Sequence, residues 1–225
     1  MRLLNHFTLT LAFCFSCINL FSQNIYLAYD GMSGAAGSPL HGGSGGTGWA
    51  DTWTVQNDNT DGYLYYGTGL TFAGLQQSDM AITGGESYLT SGRALDCNPA
   101  GPFASYISEN NGIGSNTGTT LWVSALVQKS QNNDQNISYT LHGSSIAWCD
   151  NCSQDNRVSF GYFGNESNVG GERRWSLKIG NDVFTSTVPV IIGSTALLVA
   201  RIDFNEGNTV ITMYIYPSEL GYAGP

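Results

Sequence analysis

Few residues in this chain could do chemistry, and their spacing limits what that chemistry is. Cys149-Asp-Asn-Cys152 has the gap of a redox pair or of half a zinc site. A zinc site needs two further soft ligands. Cys97, His41 and His142 are the candidates, and none of them has paired spacing. No βαβ pattern surrounds the motif, so a thioredoxin reading fails as well. The expectation is a small Cys149–Cys152 disulfide that pins a loop. His41-Gly-Gly-Ser44-Gly-Gly has the outline of an oxyanion loop, but no strand–turn–helix context follows it. It is no phosphate loop either, because no Lys or helix start follows the glycines. In Arg201-Ile-Asp203, the two ions stand at i and i+2, on one face of a strand. They are expected to pair with each other and with neighbouring strands.

Sugar recognition fits the composition better. Sugars lay their apolar faces on aromatic rings and give hydroxyls to Asn, Asp and Gln. The chain holds 12 Tyr and 5 Trp, with many Asn. Trp148 lies beside Cys149 in a polar loop after His142, and is the first candidate platform. His142, Tyr139 and Tyr65 complete the set of carbohydrate-binding candidates. Trp49, Trp53, Trp122 and Trp175 are expected in the core.

Strands must position these groups. No window keeps apolar residues at helical spacing with capping signals. Strand signals recur between Gly, Asn, Asp and Ser clusters. They fall at Asn24–Asp30, Trp49–Val55, Gly62–Tyr66, Ser87–Leu95 and Phe103–Ile107. Thr119–Gln128 is apolar on both faces, as a central strand would be. Ile137, Tyr139 and Leu141 alternate with polar residues, as do Val158, Phe160 and Tyr162, and Trp175, Leu177 and Ile179. Such alternation means one buried and one wetted wall. Thr195–Phe204 and Thr209–Tyr216 are β-branched and joined by Asn205-Glu-Gly-Asn208, which fits a hairpin. About ten short strands without helices predict a two-sheet antiparallel sandwich.

Eight Lys and Arg face 17 Asp and Glu, a formal charge of -9. That excludes partners held by neutralising phosphates, nucleic acid and anionic lipid alike. Residues 1–23 read as a secretory signal: Arg2 at the start, an apolar run from Phe7 to Phe21, and Ser22 near a cleavage point. The run is too short for a comfortable membrane span. The mature chain, residues 24–225, is read as one exported domain, secreted or at the cell surface. It would keep Cys97, Cys149 and Cys152.

One further pattern is specific. Ala28-Tyr29-Asp30-Gly31 is followed by Leu40-His41-Gly42-Gly43, then Gly45-Gly46-Thr47-Gly48-Trp49 and Trp53. Leu197-Leu-Val-Ala-Arg201-Ile-Asp203-Phe204 and Val210–Pro217 follow near the other end. Together these resemble bacterial exported domains of the concanavalin A-like lectin/glucanase superfamily, the laminin-G-like jelly rolls. The Phe-Ser-Gln end of the signal is similar to those of Bacteroidota. The resemblance implies an all-β jelly-roll sandwich, and a closing strand expected after Pro225. It also implies a structural calcium, with Asp30 at the family's acidic position. The residues alone leave Asp30 equally able to cap the Gly31 turn.

The superfamily includes glucanases, whose strand motif is Glu-x-Asp-x-x-Glu. The nearest match here is Arg201-Ile-Asp203-Phe-Asn-Glu206, with Arg201 where the nucleophile should stand. A guanidinium cannot attack a sugar, so no catalytic residue is assigned. The expected function is a non-catalytic module that binds a glycan or polysaccharide and requires no cofactor. A degenerate glycoside hydrolase and a structural spacer in a larger surface protein are the alternatives.

Overall fold

In the computed structural model, the described residues are 26–56, 62–73, 75, 80–84, 90–107, 118–142, 157–205 and 208–216. The signal segment 1–23, the Cys149–Cys152 pair and Trp148 lie outside them. Twelve strands occur among the described residues. The first four are β1 (Thr54–Val55), β2 (Tyr63–Tyr66), β3 (Ala81–Gly84) and β4 (Ser91–Gly92). Next come β5 (Thr119–Gln128), β6 (Ile137–His142), β7 (Arg157–Tyr162) and β8 (Asn168–Val169). The last are β9 (Glu172–Ile179), β10 (Asp182–Pro189), β11 (Thr195–Asn205) and β12 (Asn208–Ile215). Every pairing is antiparallel.

Two larger sheets carry the main core. One runs β10-β9-β7-β6, with β8 beside β9; the other runs β12-β11-β5. Alternation gives each sheet one apolar wall, and the two walls meet. Phe160, Tyr162, Trp175 and Leu177 from the first sheet share a cluster with Val127, Ala196, Leu198 and Ala200 from the second. Burying each large apolar side chain there contributes about 1.5–3 kcal/mol. The chain is therefore an all-β protein with antiparallel sheets packed across an apolar middle. A smaller cluster of Leu40, Trp53 and Tyr65 gathers the glycine-rich loop onto β2, with Tyr63, Met80 and Ile82 packed against it.

Several expectations need correction. The described part of Asn24–Asp30 makes only the single bridge Tyr29–Thr47. Its backbone groups turn into the loop, where Tyr29 exchanges both hydrogen bonds with Thr47. Trp49–Val55 narrows to β1 and a Trp49–Leu95 bridge. Phe103–Ile107 contains a 3-10 turn at Ala104–Tyr106, closed by the Tyr106 N–H on the Phe103 carbonyl. β10 was not foreseen. It is a Pro-ended strand of mixed polar and apolar residues that pairs only with β9 among the described residues. Most consequentially, β5 pairs only with β11 among the described residues, and Trp122 on it, expected in the core, is 47% exposed.

Candidate functional site

The hairpin register decides what stands on the outer wall of the three-stranded sheet. Leu198, Ala200 and Ile202 of β11 point into the core, so Arg201 and Asp203 point out. Arg201 lies opposite Trp122 of β5 and Thr212 of β12, and Asp203 lies opposite Thr120. The Arg201 Nε donates to the Asp203 carboxylate at 3.0 Å, and the Thr120 hydroxyl donates to it at 2.6 Å. The expected i, i+2 ion pair is thus formed. The Thr120 hydroxyl, and after it Arg201, hold the Asp203 carboxyl below the usual range against desolvation. Asp203 is a fixed anion at neutral pH, not a proton donor.

Aromatic surface stands beside this pair. Trp122 and Tyr214 are stacked, with ring centroids 5.8 Å apart at 27°. The Arg201 guanidinium lies 5.5 Å from the centre of the Trp122 ring, and Asp203 first, with Tyr214 after it, favours its charged form. An indole left half in water next to hydroxyls, a cation and an anion can take an apolar ring face. The same neighbours can receive that ring's polar edge. Sequence reasoning missed Trp122. The signal was present in Thr120-x-Trp122-x-Ser124, a polar-and-aromatic row opposite Leu121, Val123 and Ala125.

The glycine-rich loop builds a second feature. Ser33, Ser38, His41, Ser44 and Tyr65 help line an open polar groove of about 340 Å³. Tyr65 is 4% exposed, its ring held against Gly34 and its hydroxyl against Gly43. Any Cβ at those two positions would strike it. The ring's faces are therefore covered, and Tyr65 serves as floor rather than platform. Asp30 lies behind the loop. One carboxylate oxygen accepts the Met32 N–H at 2.8 Å, closing the turn. The other accepts the Trp53 indole N–H at 2.8 Å and Arg93 at 2.6 Å. Arg93 stacks over Trp49 and Trp53, and also donates to the Gly45 and Asp51 carbonyls. The carboxylate that the resemblance assigns to calcium thus faces a guanidinium here. Among the described residues, no three His, Cys, Asp or Glu side chains converge.

Of the other candidates, Tyr139 is about a third exposed and stacks on Phe160 at 5.9 Å. Desolvation, and after it the Asp30 charge, push its phenol up, as they do for Tyr65. His142 ends β6 opposite Arg157 and belongs to the alternate face of that strand. None of these is on the Trp122 wall.

No family model matches this chain, and no curated protein matches it. The described residues contain no helix long and apolar enough to cross a membrane.

Proposed function

We propose that this protein is an exported, non-catalytic module that binds glycans on the outer wall of β5, β11 and β12. The observation that carries the reading is the exposure of Trp122, stacked on Tyr214 beside the Arg201–Asp203 pair. Trp122 stands about half in water on a mixed wall that also carries Tyr214, Val199 and the Thr120, Ser124 and Thr212 hydroxyls, so an aromatic face and polar groups lie side by side. The secretory layout of residues 1–23 and the resemblance to concanavalin A-like jelly rolls support the same reading. The hydrolase alternative is weakened where its motif falls. Asp203 is engaged by Thr120 and Arg201 at once, and stays ionised.

The test is affinity electrophoresis of the exported chain through gels containing polysaccharides, with Trp122→Ala beside it. Retardation by at least one polysaccharide, weakened about tenfold in the variant, is expected; tenfold is about 1.4 kcal/mol, the scale of one aromatic contact. Equal retardation of both proteins would remove Trp122 from the site. Release of reducing sugar that stops in Asp203→Asn or Glu206→Gln would make the protein a hydrolase.

A further inference from the structure

The charge pattern of the same wall defines which glycans it takes. This inference rests on the glycan-binding reading and narrows it. Arg201 and Asp203 are the only charged residues in β5, β11 and β12. They neutralise each other at 3.0 Å. The next cation along the chain from β5 is Lys129. It is 5% exposed and donates to Asn133 and the Gln135 carbonyl, both at 2.9 Å, so its charge does not reach the wall. The chain as a whole carries -9.

A uronate or sulfate ester needs a cation that is free to face it, most often an Arg fork open for bidentate contact. The charge of Arg201 is already offset by Asp203 at its Nε, and the field of the chain repels polyanions during approach. The neutral pair keeps its value for an uncharged ligand. It places donors and an acceptor beside an aromatic face, and the Thr120, Ser124 and Thr212 hydroxyls extend the row.

We infer that the Trp122 wall binds uncharged polysaccharide and discriminates against uronic-acid and sulfated chains. Binding then owes little to ion pairing, so salt leaves it nearly unchanged.

The experiment sets the full exported chain against a neutral panel (laminarin, glucomannan, dextran) and an anionic one (alginate, polygalacturonate, heparin). It is run at low and at high salt, with Trp122→Ala and Trp122→Phe. Circular dichroism checks that both variants fold. Expected is retention on at least one neutral chain, changed less than about twofold by salt, lost about tenfold in Trp122→Ala and largely kept in Trp122→Phe. Retention on an anionic chain that needs Trp122 and fades with salt would overturn this inference while leaving glycan binding intact. No retention on any member of either panel would overturn the glycan reading itself, and this inference with it.

Discussion

The Arg93 guanidinium meets the Asp30 carboxylate at 2.6 Å across 63 residues of chain, and both side chains are about 95% out of water. The pair ties the glycine-rich loop to the strand region at β4. Trp49 and Trp53 flank the guanidinium and keep water from it. Removing one partner leaves the other charge buried and uncompensated, which costs about 3–5 kcal/mol. Arg93→Ala should lower the unfolding free energy from urea titration by about that amount, and with it the midpoint. Arg93→Lys should recover little, because an ammonium cannot reach Asp30, the Gly45 carbonyl and the Asp51 carbonyl together. Midpoints close to wild type in both variants would show that the pair does not hold the loop.

Acid should weaken the fold through carboxylates fixed by neighbours. Asp203 is held below its ordinary value of 3.8 by Thr120 and then by Arg201. Asp134 is held below it by the Tyr162 hydroxyl first, then by Asn168 and Arg173. A carboxyl with a lower pKa folded than unfolded binds protons preferentially in the unfolded chain. Its stabilisation is present above the ordinary value and disappears as pH falls from there through the folded value. Urea midpoints should therefore drop between pH 5 and pH 2, and Asp203→Asn should flatten the drop. A slope unchanged by that substitution would remove Asp203 from the account.

Gly42 and Gly43 are neighbours with different reasons for being glycine. Gly42 has φ +79°, with open space around its missing Cβ. Gly43 has the Tyr65 hydroxyl in that place, and the Leu40 carbonyl oxygen 2.9 Å away. Gly42→Ala should cost about 1–2 kcal/mol, the penalty of a left-handed residue. Gly43→Ala should cost more. Part of that cost should vanish when Tyr65→Phe removes the colliding hydroxyl, giving a coupling of about 0.5 kcal/mol or more in a double-mutant cycle. Strict additivity would mean that Tyr65 does not press on Gly43.

Trp175 lies fully buried between the sheets, and its indole N–H has no partner among the described residues. Truncation to Ala should cost about 3–5 kcal/mol through lost burial and the cavity left behind. Trp175→Phe removes an orphan donor, whose burial costs about 1–3 kcal/mol, at the expense of some packing. Its thermal stability should therefore stay within about 1.5 kcal/mol of wild type. A loss as large as that of Trp175→Ala would mean that the N–H has a partner in solution.

Much of the strand inventory follows from local pattern. Thr119–Gln128 and Ile137–His142 begin and end where alternation and β-branching place them. Asn205 and Asn208 pair as the ends of the expected hairpin. Trp175 falls in the core with Leu177 because both stand on the same face of a strand whose other face is polar. The Arg201–Asp203 pair is legible for the same reason: a period of two fixes which side chains are neighbours on one strand. β10 escaped because Asp182-Val-Phe-Thr-Ser-Thr-Val-Pro gains its ladder and its position only from β9.

Period alone, however, says which residues share a wall and not whether anything covers that wall. Trp122 could equally have been core or surface until β5 turned Val123, Ala125 and Val127 against the other sheet and left Trp122 on the outer wall. The meeting of Asp30 with Arg93, and of Tyr65 with Gly43, likewise depends on long loops closing, and no local spacing encodes such closure. The amino-acid order by itself therefore determined strands, their faces and the hairpin. Tertiary packing decided which aromatic ring was left in water, because burial is a property of what two sheets place against each other.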